Sequence, residues 1–236
     1  MRRQRILFLA LAGVCLLYCG IDPVMPASGQ AEIAQEERYI ALTFDDGPKQ
    51  GTTDRLLDGL RERGAKATFF LIGSGIEGNE DLIRRMQAEG HQVGNHTWSH
   101  VSLKGASQET LIREVGQTQE LLEKILGEGD YWLRPPYGLV TPGAEAHIDV
   151  PMVKWSVDPR DWESRNTPKV VQAVLSAAKP NSIVLLHDIY PSSVDAALQI
   201  VDTLQKEGYV FVTVEELLEL NGVEPQLGVL YCKGTG

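Results

Sequence analysis

The chain has 236 residues, 43% of them hydrophobic, and a formal net charge of −10. That length supports one sizeable core rather than two domains, and so acidic a surface repels nucleic acid and anionic lipid. A neutral polymer substrate is not excluded.

The chain opens on the basic MRRQR, followed by the apolar run ILFLALAGVCLLYCG. The run is short for a spanning helix and right for a signal-peptide core, and the small residues of MPASGQA follow it. Residues 1–29 therefore read as a cleaved leader, with a retained N-terminal anchor as the alternative. Either way the segment implies a secreted or cell-envelope protein that meets the membrane only through this stretch. Cleavage would remove three arginines and one aspartate and take the net charge from −10 to −12. It would also remove Cys15 and Cys19, leaving Cys232 alone and no internal disulfide. Residues 30–37 are polar and read as a linker.

A regular alternation follows. YIALTF is a predicted strand and TTDRLLDGLRERG an amphipathic helix closed by Gly64. ATFFLIG is a strand, NEDLIRRMQAEG a helix with Asn79 as its cap, and HQVGNH a short strand. SQETLIREVGQTQELLEKILG is a long helix; YWLR and VPMVKWSV are strands. The intervening LVTPGAEAHID has no pattern for a full helix. TPKVVQAVLSAAKP is a helix with Pro168 in its first turn, and SIVLLH is a buried strand. SSVDAALQIVDTLQKEG is a helix, YVFVTV a strand and EELLELNG a last helix. Strand–helix alternation of this kind means parallel strands with crossover helices, in an open doubly wound sheet or a closed β/α barrel.

Polar residues gather at the C-terminal ends of the predicted strands: Asp45 and Asp46, His96 and His100, Arg134, Asp158, and His187. In either architecture those ends share one face, where active sites lie. His96 and His100, at spacing i,i+4, can reach one ion from one helical turn, and a carboxylate would complete a three-ligand site. Of the adjacent Asp45 and Asp46, one can then ligate and the other take a proton from water acidified by the cation. His187 is placed to act as a general acid, with Asp158 raising its pKa, and Arg134 to hold the non-ligand aspartate by a bidentate contact. Trp98 and Trp162 are either core residues or stacking faces for sugar rings.

TFDDGP (43–48), HTWSH (96–100), RPPYG (134–138), DPRDW (158–162) and LLHD (185–188) resemble, in order, the five motifs of the polysaccharide deacetylases, the NodB-homology or carbohydrate esterase 4 family. The resemblance covers about Tyr39 to Val214. It implies an α/β fold, a distorted (β/α)7 barrel in a single catalytic domain over 38–220, with 221–236 as a C-terminal tail. It implies a divalent metal, usually Zn2+, and hydrolysis of N-acetyl groups on GlcNAc-type sugars. By the same resemblance Asp45 is the base, Asp46, His96 and His100 the metal ligands, and Arg134 the orienter of Asp45. Asp158 tunes His187, which is the acid. The Tyr137 N–H stabilises the oxyanion, and Pro135 and Trp162 line the substrate site. The expected partner is an aminosugar polysaccharide, peptidoglycan before chitin-type oligosaccharides, acted on by a monomer. An O-acetyl esterase and an inactive carbohydrate-binding protein on the same barrel are the alternatives.

Overall fold

The structure is a computed structural model that describes residues 37–235. The leader and most of the linker read from the sequence lie outside the described residues. Among the described residues no helix is long and apolar enough to cross a membrane.

Among the described residues seven parallel strands carry the fold: β1 (Arg38–Asp45), β2 (Thr68–Leu71), β3 (Gln92–Asn95), β4 (Met152–Val153), β5 (Ile183–His187), β6 (Tyr209–Phe211) and β7 (Leu230–Tyr231). The main sheet runs β3-β2-β1-β5, and β6 takes the first three residues of β1, which β2 does not reach. Single bridges then close the ring: Asn95 to Leu133, Leu133 to Met152, and Val157 to Val184. The result is a barrel, distorted because the predicted strands YWLR and VPMVKWSV are reduced to bridges and a two-residue β4. The barrel architecture inferred from the motifs is thus the one adopted, and the open doubly wound sheet is not.

The helices follow the signals in the chain. α1 (Thr53–Glu62) and α2 (Glu80–Ala88) are each closed two residues on by a glycine with positive φ, Gly64 and Gly90. Asn79 stands at the N-cap of α2 but makes no capping bond; its Nδ2 donates to the Gly75 carbonyl. The long helix is interrupted: α3 (Gln108–Leu111) and α4 (Gln117–Leu126) flank a π turn at Ile112–Gly116. α5 (Pro142–Glu145) is the single turn that the weak pattern of LVTPGAEAHID allows. α6 (Asp161–Ser164) is another single turn. In α7 (Thr167–Ala177) the Asn166 side chain accepts from the Lys169 N–H. α8 (Pro191–Lys206) follows, and α9 (Val214–Leu220) opens on a Thr213/Glu216 capping box.

Leu42, Phe44, Phe69, Leu56, Leu60 and Ile200 are among the fully buried side chains between the sheet and the outer helices. Burying each contributes about 1.5–3 kcal/mol. The sequence boundary at residue 220 falls too early. β7 pairs in parallel with β4, Lys233 bridges Ser182, and Tyr231 is buried against Trp132 and Leu217. Residues 228–235 are therefore part of the barrel wall. Tyr231→Ala is expected to lower unfolding stability by about 3 kcal/mol, read by urea denaturation; a loss under about 1 kcal/mol would leave β7 a loosely attached tail.

Candidate metal centre and catalytic cavity

The C-terminal ends of β1, β3 and β5, with the segments after Leu133 and Val153, open into a cavity of about 370 Å³. Asp45, Asp46, His96, His100, Tyr137, Asp158, Trp162 and His187 all line it, as do Trp155, Leu185 and Tyr190.

Two adjacent aspartates reach this cavity because β1 ends between them. Asp45 is the last strand residue, and Asp46 turns into the left-handed region at φ 71. That turn cancels the alternation that would send neighbouring side chains to opposite faces. Gly47 follows because nothing larger fits: a Cβ there would lie 2.5 Å from the buried carboxylate of Asp188, which Thr53 holds by a hydrogen bond. Burial pushes the Asp188 carboxyl up to about 7.

Asp46, His96 and His100 each present one ligand atom, and these atoms lie within 4.8 Å of one another. Nε2 of both histidines stands 3.6 Å from Asp46 Oδ1. His96 Nδ1 lies 2.7 Å from the Arg134 carbonyl, which can only accept, so Nδ1 carries the proton and Nε2 is a bare lone pair. Burial, against the pull of Asp45 and Asp46, holds the His96 pKa below its ordinary value and keeps the ring neutral. Asp46 Oδ1 is buried without a hydrogen-bond partner. The bare Nε2 of His96, the unpartnered Asp46 Oδ1 and Nε2 of His100 thus converge, an arrangement that fits a cation.

The histidine loop is not the helical turn expected from i,i+4 spacing. Thr97 and His100 adopt φ 65 and φ 58, and the loop between them is irregular. Its shape is imposed from outside. The carboxylate of buried Glu114, in the π turn, accepts from the Ser99 N–H at 2.9 Å and from its hydroxyl. Asn95 donates to the Val115 carbonyl and accepts from the Thr97 N–H. A π turn inserts one residue and so re-aims Glu114 towards the loop. Glu114→Ala is expected to weaken cation binding about tenfold, read by metal titration, with Glu114→Gln closer to wild type; unchanged affinity in both would leave Glu114 a fold residue only.

Asp45 is held by a single guanidinium nitrogen, Arg134 Nη1 at 2.7 Å, not by the bidentate contact expected. The remaining hydrogen bonds of Arg134 serve the frame: Nη1 also donates to Thr43 Oγ1, Nη2 to the Lys154 carbonyl and Nε to the Val153 carbonyl. Arg134 is 0% exposed, beneath Phe70. Burial disfavours ionisation of Asp45, but Arg134, then His96 and His187, outweigh it and hold the carboxyl below the usual carboxylate range.

The partner of His187 is corrected by the structure. Asp158 lines the cavity, but its carboxylate accepts from the Arg160 N–H within its own loop. Asp161, three residues on and 0% exposed, accepts from the His187 N–H at 2.8 Å and binds Nδ1 at 2.9 Å. α6 turns Asp161 inward from its first position and leaves Trp162 exposed at the mouth. Burial opposes protonation of His187, but the Asp161 hydrogen bond and charge, with Asp45 and Asp46, push it up to about 9.

The proposed binding residues divide. Tyr137, at φ 61 and 60% exposed, sets its ring edge-on to His100 at the rim. Trp162 lines the cavity, whereas Trp98 packs outside it, next to Gly73 and Thr118. Pro135 is buried and does not line the cavity; its carbonyl accepts from the Gly138 N–H and fixes the turn that presents Tyr137. Trp155 and Tyr190 were missed, although each follows a strand as the recognised residues do.

Residues 32–148 match the family model described as polysaccharide deacetylase. The chain is 40% identical over 184 residues to the peptidoglycan-N-acetylmuramic acid deacetylase PdaC of Bacillus subtilis (strain 168), covering 78% of this chain and 39% of that protein. It spans only about two fifths of the length of such curated relatives, at 39% and 43%. Among solved structures it resembles "T48 deacetylase with substrate" with TM-score 0.79 and 40% identity, covering 83% of this chain and 96% of that one. A family 4 acetyl xylan esterase from Clostridium thermocellum, in complex with a cobalt ion, gives TM-score 0.78 and 32% identity, covering 83% and 98%.

Proposed function

Since the chain belongs to the polysaccharide deacetylase family, we propose that it is a metal-dependent hydrolase removing N-acetyl groups from GlcNAc-type sugars of a polysaccharide, with release of acetate. Peptidoglycan is the favoured polymer, with chitin-type oligosaccharides next. The enzyme works as a monomer, exported to the envelope or beyond by its leader. The observation that carries this reading is the meeting of Asp46, His96 and His100 with Asp45 and His187 in one cavity.

Asp46, His96 and His100 hold the cation, and zinc suits their nitrogen and oxygen donors. When bound, it polarises the acetyl carbonyl and lowers the pKa of water. Asp45 takes the proton of the attacking water at Oδ2, since Oδ1 is held by Arg134. The Tyr137 N–H donates to the oxygen of the tetrahedral adduct as it gains charge. His187, with Nδ1 held by Asp161, delivers its proton from Nε2 to the departing nitrogen. Asp158 shapes the loop beneath Trp162, and Trp162 supplies a flat face for a sugar ring.

The test is parallel measurement of acetate and free amine from peptidoglycan and chitooligosaccharides, before and after chelation and zinc restoration. Equal, chelator-sensitive yields of both are expected. The likeness to an acetyl xylan esterase supports a second reading, O-deacetylation, which would release acetate without amine. No acetate from any of these substrates by metal-loaded protein would favour a binding role on the same barrel.

A further inference from the structure

Three aromatic residues of the cavity wall each have a cation within 6 Å of the ring centre. The Arg165 guanidinium lies 4.3 Å from the centre of the Tyr190 ring, and Arg160 lies 5.5 Å from that of Trp162. Lys154 Nζ lies 5.9 Å from the centre of the Trp155 ring. Tyr190, Trp162 and Trp155 all line the catalytic cavity. They follow β5, Val157 and β4, neighbouring stations of the barrel, so the three cations share one side of the mouth.

Arg160 and Arg165 are the two caps of α6, at φ 53 and φ 43, in a region that favours glycine or asparagine. The turn they bound presents Asp161 to His187 and leaves both arginine side chains at the exposed rim. Arg160 is paired with Glu163 at 2.7 Å. Among the described residues Arg165 and Lys154 have no carboxylate within ion-pair distance, and the only side-chain hydrogen bond of Arg165 is a 3.4 Å contact from Nε to the Trp162 carbonyl. Arg165 is exposed, so its two terminal nitrogens are open to a ligand while the guanidinium rests near the Tyr190 ring. On a chain of net charge −10, the unmatched positive charge of Arg165 and Lys154 gives this part of the rim a local attraction for an anionic group.

We propose that Arg165 and Lys154, supported by Arg160, form a subsite for a carboxylate carried on the glycan, one or more sugars away from the acetamide being cleaved. The carboxylate comes from a lactyl ether on the sugar or from a peptide attached to it. Arg165 receives it through its terminal nitrogens and Lys154 adds charge. The subsite makes the protein select an acidic glycan over a neutral one of the same length. It rests on the reading of the cavity as a glycan groove.

The test uses metal-loaded full-length protein and two tetrasaccharides, alternating GlcNAc–MurNAc and chitotetraose, which differ in the lactyl carboxylates. Binding is measured by calorimetry in the Asp45→Asn background, so that turnover does not interfere. The acidic ligand is expected to bind about three- to tenfold more tightly at low salt, and the advantage should vanish towards 1 M salt as screening sets in. Arg165→Gln with Lys154→Gln should erase the advantage, with chitotetraose affinity as the control for an intact groove. An acidic tetrasaccharide whose lactyl groups carry a dipeptide locates the source: a larger advantage assigns the subsite to the peptide, an equal or smaller one to the lactyl acid. Equal binding of the acidic and neutral ligands at low salt, or equal loss of both in the double variant, would overturn the subsite. Failure of the wild-type protein to release acetate from either ligand would sink the deacetylase reading, while the binding difference still decides this one.

Discussion

Asp46→Ala is expected to lose both the cation and the activity, whereas Asp45→Asn loses activity and keeps the cation. Asp46 Oδ1 is the atom shared by both histidines, 3.6 Å from each Nε2, so its removal leaves two neutral donors too few to retain the ion. Asp45 contributes a basic oxygen instead. Asparagine keeps an acceptor for Arg134 but cannot take a proton, so kcat should fall at least about 10³-fold with metal stoichiometry unchanged. Arg134 is fully buried, and breaking its pair outright would cost about 3–5 kcal/mol; the amide avoids most of that loss. Metal content by emission spectroscopy, together with kcat on an acetylated oligosaccharide, separates the two roles. Equal metal loss in both variants would reject the division.

The second large effect concerns His187. Replacing it by alanine should lower kcat about 10²–10⁴-fold and leave the cation bound. Its pH signature is more diagnostic. The acid must be protonated, and its pKa is raised to about 9, so activity should be lost as pH rises through that region. A bound cation offsets the charge of Asp46, one of the groups that raise His187, and so moves the basic limb of the loaded enzyme downward. Asp161→Asn removes the largest raising influence. The basic limb should then move further down, towards the ordinary histidine value near 6.5, whereas Asp158→Asn should leave it in place. A profile that moves with Asp158 and not with Asp161 would reverse the assignment. At the acidic end Asp45 must be ionised, and its lowered pKa keeps it so well into the acid range.

The helices α1, α2, α7 and α9 and the strands β1 and β5 were legible because each has a local cause. These are apolar runs, glycines just past helix ends and Pro168 in a first turn. The wall made by Leu133, Met152 and Val157 was legible as two strands, longer than those that form. Its pairing is a matter of isolated bridges, which leave no periodic signature. β7 was missed for a related reason. Two residues, Leu230 and Tyr231, join the barrel through β4, a partner nearly eighty positions earlier in the chain.

By itself the sequence determined which residues stand at the strand ends, and so which chemistry gathers on one face. Asp45, Asp46, His96, His100, Arg134 and His187 are fixed there by strand periodicity and by the direction that parallel strands share. Tertiary structure decided which partner each of them meets. Asp158 and Asp161 are three positions apart with the same side chain, and only the inward turn of α6 gives His187 to Asp161. The loop that aims His96 and His100 is bent by Glu114 from another helix, and Arg134 finds Asp45 across the barrel with one nitrogen because its others are taken by backbone carbonyls. Strand-end chemistry is local and can be read along the chain, whereas pairing between buried polar groups depends on distances that the chain sets only once it is closed.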